Sequence, residues 1–147
     1  MAVIAYKTSK YNHMNKYRLK VYPKGRGREI YRVIEISGSE SLDNLCSAII
    51  ETFGLDSEHL YEFCMENRTY DEHNYQSNPE YQGQPSTKVK IDSLKLKESQ
   101  VFSLHYDFGD DWMFVINVQK IEQSKEEFVP VVIKSKGFIS QYSVWDV

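Results

Sequence analysis

Hydrophobic and polar positions first alternate over residues 17–22, where Tyr17, Leu19 and Val21 fall on one side and Arg18, Lys20 and Tyr22 on the other. Successive side chains of a strand point to opposite faces, so strict alternation predicts a half-buried β-strand. Pro23-Lys24-Gly25-Arg26-Gly27 breaks the pattern, and residues 29–36 resume it with Ile30, Tyr31, Val33, Ile34 and Ile36. Two such runs around a Gly-containing connection predict a β-hairpin. The period then changes. Ser37-Gly38-Ser39-Glu40-Ser41 has helix-capping chemistry, and Leu42, Leu45, Cys46, Ile49, Ile50 and Phe53 follow at the three-and-four spacing of one helical face. Gly54 suits the position just past the helix, where a left-handed residue ends it.

Further strands are predicted at 59–65, 101–106, 112–121 and 128–133, with a short strand or turn of helix within 88–96. Between 66 and 87 the pattern dissolves into Asn, Asp, Gln, Ser, Pro and Tyr. A stretch of that length is either a functional, mobile loop or an ordered meander without a role. Strands around one principal helix at about 41–53 predict an α+β domain with mostly antiparallel pairing. Its expected limits are 16–139, after a flexible lead at 1–15 and before a tail at 140–147.

Composition supports strands. The 147 residues make one domain's worth of chain, long enough to bury a core without a disulfide or metal. Eleven of the 20 aromatic residues are Tyr, and Ala occurs only at 2, 5 and 48, which favours pleated surfaces over Ala-rich bundles. Cys46 and Cys64 lie in apolar company without metal-site spacing and read as reduced core residues. No window approaches a membrane span and the opening apolar run is too short for a signal peptide, so a cytoplasmic protein with no membrane partner is expected.

Net charge is −3, but unevenly spread. Up to residue 36 there are nine Lys and Arg against Glu29 and Glu35, whereas the remainder has nine basic and nineteen acidic residues. This asymmetry makes the first hairpin, with Arg18, Lys20, Lys24, Arg26 and Arg28, a candidate anion or nucleic-acid contact. Tyr11, Tyr17, Tyr22 and Tyr31 interleave with its cations, as stacking on single-stranded nucleic acid requires. The alternative is a solvated face.

Asp107, Asp110 and Asp111, with His105 just before them and Trp112 just after, form the sharpest cluster. Short carboxylates in that density could hold a hard divalent cation. They equally suit a hairpin turn, with Asp capping amides and Gly109 taking the positive φ. His59, near Asp56 and Glu58, is a candidate base or ligand, or a satisfied structural residue. His13 and His73 lie in polar surroundings and read as solvated. No nucleophile motif is present, and Gly25-Arg26-Gly27 is neither a P-loop nor a dinucleotide fingerprint, so no cofactor is expected.

The segments Tyr17-Arg18-Leu19-Lys20-Val21, Glu29-Ile30-Tyr31-Arg32-Val33-Ile34-Glu35-Ile36, Gly54-Leu55-Asp56-Ser57-Glu58-His59-Leu60-Tyr61-Glu62-Phe63 and Tyr106-Asp107-Phe108-Gly109-Asp110-Asp111-Trp112 occur in the order seen in the plasmid pRiA4b Orf-3-like family. The chain resembles that family over about 16–139. The resemblance implies a small α+β domain, often carried on plasmids or insertion elements and sometimes labelled transposon passenger or resolvase-like, with no established activity. It marks His59, Phe63, Asp107, Gly109, Asp110, Asp111 and Trp112 as motif positions without assigning a reaction. No serine or tyrosine recombinase constellation accompanies it. Many relatives continue past Gly137 into a Cys-Pro-Pro-Glu-Asp-like segment, where this chain reads Phe138-Ile139-Ser140-Gln141-Tyr142.

Three functions are therefore expected to compete. The first is a non-enzymatic binding module with His59, Asp107, Asp110, Asp111 and Trp112 as its site. The second is a divalent-metal hydrolase or nuclease at the same turn. The third is nucleic-acid binding through the basic hairpin.

Overall fold

A computed structural model describes residues 14–140. The expected lead and tail, with His13, lie largely outside these residues. One seven-stranded sheet dominates, built from β1 (Met14–Pro23), β2 (Tyr31–Ser37), β3 (Tyr61–Cys64), β4 (Tyr75–Gln76), β5 (Val101–Tyr106), β6 (Trp112–Ser124) and β7 (Val131–Lys136). Their order across the sheet is β4-β3-β5-β6-β1-β2-β7, with every neighbour antiparallel. A single α-helix, α1 (Leu42–Phe53), and one 3₁₀ turn (Ile91–Leu94) complete the described residues.

Alternation sends Tyr17, Leu19, Val21, Ile34, Ile36, Phe63, Phe102, Leu104, Phe114, Ile116 and Val118 into one core with Leu42, Leu45, Cys46, Ile49 and Phe53 of α1. Phe53 stacks on Phe114 with ring centroids 5.0 Å apart, which fixes the helix over the middle of the sheet. Ser41 caps α1 by accepting from the Asn44 amide at 3.1 Å, and Gly54 ends it at φ 72°. Arg32 also points to this side. It is satisfied by Thr52 and two backbone carbonyls and lies 4.8 Å over the Phe53 ring.

Several expected boundaries move because pairing overrides local pattern. β1 begins at Met14, inside the expected lead, since Met14 pairs with Ser124 at the extended end of β6. β7 lies three residues later than 128–133, beyond Pro130, where it pairs with β2. The 66–87 stretch is neither bare loop nor free: it contains β4. The Gln76 amide donates to Pro85, and the Ser77 and Thr87 amides donate to Tyr61 and Gln76. Both cysteines are free and buried; burial raises the Cys64 thiol to about 12, so neither redox chemistry nor nucleophilic attack is favoured there.

Candidate functional site

The β5–β6 hairpin reverses over residues 107–111, between the register pair Tyr106 and Trp112. The left-handed positions are Asp107 (φ 65°) and Asp111 (φ 53°), not Gly109 as expected. Asp tolerates this region because its short carboxylate bonds locally. Here Asp107 Oδ1 accepts from the amides of Gly109 (3.0 Å) and Asp110 (3.3 Å), and the Asp111 amide donates to the Asp107 carbonyl at 2.6 Å. Glycine at 109 serves a different need: a Cβ there would meet Asp107 Oδ1 at 3.3 Å.

His59 lies outside β3, in the segment leading into it, with Nδ1 3.4 Å from Asp107 Oδ2 and its ring edge-on to Tyr106. Structure thus brings His59 and the turn together, but on one carboxylate only. Asp111 turns the other way, because strand alternation places His105 on the sheet face opposite Tyr106. Among the described residues no three His, Cys, Asp or Glu side chains converge as a metal site. Asp110 is exposed. Trp112 stacks on Phe114, and its Nε1 is buried without a hydrogen-bond partner among the described residues.

A buried network that the sequence did not single out lies behind the turn. Glu62 of β3 and His105 of β5 stand directly opposite in register and are almost fully buried. His105 Nδ1 is hydrogen-bonded to Glu62 Oε2 at 2.7 Å, and its Nε2 to Asp111 Oδ1 at 2.6 Å. Glu62 also accepts from the Tyr70 amide (2.9 Å), Asn74 Nδ2 (2.8 Å) and Gln76 Nε2 (3.0 Å). Burial pushes the Glu62 carboxyl up, but these bonds, that from His105 foremost, outweigh it and hold its pKa below the usual glutamate value.

That shift has a sign. A carboxylate whose folded pKa is depressed contributes its full stability above its unfolded pKa of about 4.3 and loses it as pH falls through the folded value. Urea midpoints should therefore hold steady in this respect from pH 7 to 5 and fall below about pH 4.3. Glu62→Gln should flatten that acid limb, and an unchanged limb would remove Glu62 as its source.

Tyr70 and Phe108 pack against His105, with ring centroids 5.3 and 4.9 Å from it and 5.6 Å from each other. They form one wall of an open cleft of about 470 Å³ that also has Leu60, Tyr81, Asp71, Glu72 and Glu80 on its lining. Leu60, Tyr70 and Tyr81 are all more than half exposed. Asp71 is engaged by Arg68 and His73, whereas Glu80 has no cationic partner among the described residues.

The basic candidates divide. Arg18 pairs with Glu35 at 3.3 Å and Arg26 with Glu29 at 3.2 Å. Lys24 and Arg28 are exposed at the hairpin tip, and Lys20 lies over the Tyr31 ring.

Fold and site together define a small antiparallel-sheet domain whose motif carboxylates, apart from exposed Asp110, are tied into the turn and into a Glu62–His105–Asp111 relay, buried at Glu62 and His105 and exposed at Asp111, behind an acidic, aromatic cleft. The chain belongs to the plasmid pRiA4b ORF-3-like protein family, whose model matches residues 15–141. It is similar, with a TM-score of 0.66 and 25% identity, to the crystal structure of MM3350, a protein of unknown function from Methanosarcina mazei Go1; the match covers 85% of this chain and 71% of that one. Comparison with curated proteins returns no match. No helix among the described residues is long and apolar enough to cross a membrane.

Proposed function

We propose that this chain is a non-enzymatic, cytoplasmic binding module of plasmids or mobile elements, and that its site is the cleft beside the 107–112 turn. The observation that supports this most is how the motif is used. Asp107 caps its own turn, and His105 has both ring nitrogens occupied. The turn thereby presents Phe108 beside Tyr70 at the cleft. Exposed aromatic rings with carboxylates between them suit a cation: the ring faces attract positive charge, and Glu72 and Glu80 supply the counter-charge. The ligand is a lysine or arginine side chain of a protein partner. Calorimetric titration with a triarginine peptide at low salt should give saturable binding, while a neutral triglutamine peptide gives none. Absence of heat with both, or metal-dependent hydrolysis of a phosphodiester by the pure protein, would overturn the reading.

A further inference from the structure

We infer that the outer face of β1, β2 and β7 is a second interaction surface, shaped for single-stranded nucleic acid. Register builds it. Lys134, Val33 and Lys20 stand in one row across β7, β2 and β1, and Lys136 and Tyr31 stand in the next. Neighbouring strands are about 5 Å apart, so the backbone positions of the two lysines of the first row are separated by about 10 Å. Lys20 Nζ lies 4.6 Å from the Tyr31 ring centroid and 5.8 Å from that of Tyr22, while Lys134 Nζ reaches Tyr31 at 5.7 Å.

Two shallow depressions, of about 460 and 290 Å³, meet at Lys20 and Tyr31, and Arg28 borders the larger. The surface is held in shape by two glycines. A Cβ at Gly27 would come within 2.8 Å of the Tyr22 ring, and one at Gly137 within 2.3 Å of the Glu29 carbonyl. The second contact seats the end of β7 on the first hairpin, where Lys136 Nζ donates to the Arg28 carbonyl at 2.8 Å.

Charge marks the limits of the surface. Toward the other end of β1, Lys16 and Arg18 are neutralised by Glu35 and Glu122. Lys20, Arg28, Lys134 and Lys136 have no carboxylate partner among the described residues, so positive charge stays concentrated around the two tyrosines. A basic sheet face with half-buried rings bordered by lysines matches a strand whose bases can stack once the flexible lysines swing out to its phosphates. A duplex, with its bases already stacked, would use the charges only. This surface is separate from the cleft, and its failure would leave the cation reading intact.

The test is fluorescence anisotropy with a labelled 20-nucleotide oligothymidylate, a duplex of equal length, and heparin as competitor. Four phosphate contacts predict a slope of log K against log salt of about −3, or about fiftyfold weaker binding at 200 than at 50 mM salt. Tyr31→Ala should weaken oligothymidylate binding about tenfold and leave duplex binding unchanged. Lys20→Gln with Lys134→Gln should lower the slope by about 1.4. Lys97→Gln, at an exposed lysine outside this face, should leave oligothymidylate binding unchanged. Circular dichroism verifies each fold, and the lysine pair, half-buried Lys20 and exposed Lys134, keeps the test decisive if Tyr31→Ala does not fold. No binding at about 100 μM protein and low salt would overturn the inference. Equal affinity for strand and duplex with no Tyr31 effect would overturn it too, in favour of a general polyanion surface.

Discussion

Replacing Glu62 by Leu should lower the free energy of unfolding by about 3–5 kcal/mol, read as a fall in urea midpoint at unchanged slope. The size follows from what is left behind. His105 is 1% exposed, and without Glu62 its Nδ1 is left buried without its hydrogen-bond partner. The Tyr70 amide and the side chains of Asn74 and Gln76 lose their acceptor at the same time. Breaking one half of a buried pair is far costlier than never burying a charge, so Glu62→Leu with His105→Leu should recover part of the loss. Asp111→Asn tests the other half of the relay. That carboxylate is 60% exposed, and its loss should cost no more than about 1 kcal/mol. A Glu62→Leu cost below that of Asp111→Asn would mean that the relay does not hold the turn.

The second large effect concerns recognition. Tyr70→Ala combined with Phe108→Ala should raise the dissociation constant for triarginine about tenfold or more, equivalent to about 1.4 kcal/mol or above. Tyr70 is 65% exposed, so its truncation removes little core, while both rings lie on the cleft wall. Glu80→Gln should weaken binding less and reduce its salt dependence, because that carboxylate acts through charge alone. A double variant that binds as well as the parent would place the cation elsewhere.

How far the sequence revealed all this depends on the range of the interaction concerned. Helix α1 was legible to within one residue because cap, apolar stripe and terminating glycine are local signals. β1 was legible because it has one buried face, and β5, although buried on both faces from Phe102 on, because Phe102, Leu104 and Tyr106 alternate with polar residues. β4 was not, since two residues carry no periodicity and the strand is defined by its pairing with Phe63 and Glu62 of β3. β7 was displaced because its residues are all exposed, and only pairing with β2 defines them.

The site shows the same division. The turn followed from motif positions, but its proximity to His59 needed the structure, and the choice of Asp107 and Asp111 for the left-handed residues depended on hydrogen bonds that spacing does not encode. Glu62 was read merely as part of a strand. Its alternation with Phe63 was the one available signal, and its pairing with His105, 43 positions away, needed the β3–β5 register. Lys134 and Lys136 join the basic hairpin only because the chain returns to β2 about a hundred residues later.

The central claim is that the motif turn serves to shape a cation-binding cleft. Amide chemical-shift mapping during titration with triarginine tests it most directly. The account predicts that the perturbed amides cluster at Leu60, Tyr70, Asp71, Glu80, Tyr81 and Phe108, with the β1–β2–β7 face unmoved. Saturable shifts confined to any other surface, or none at millimolar peptide, would contradict it.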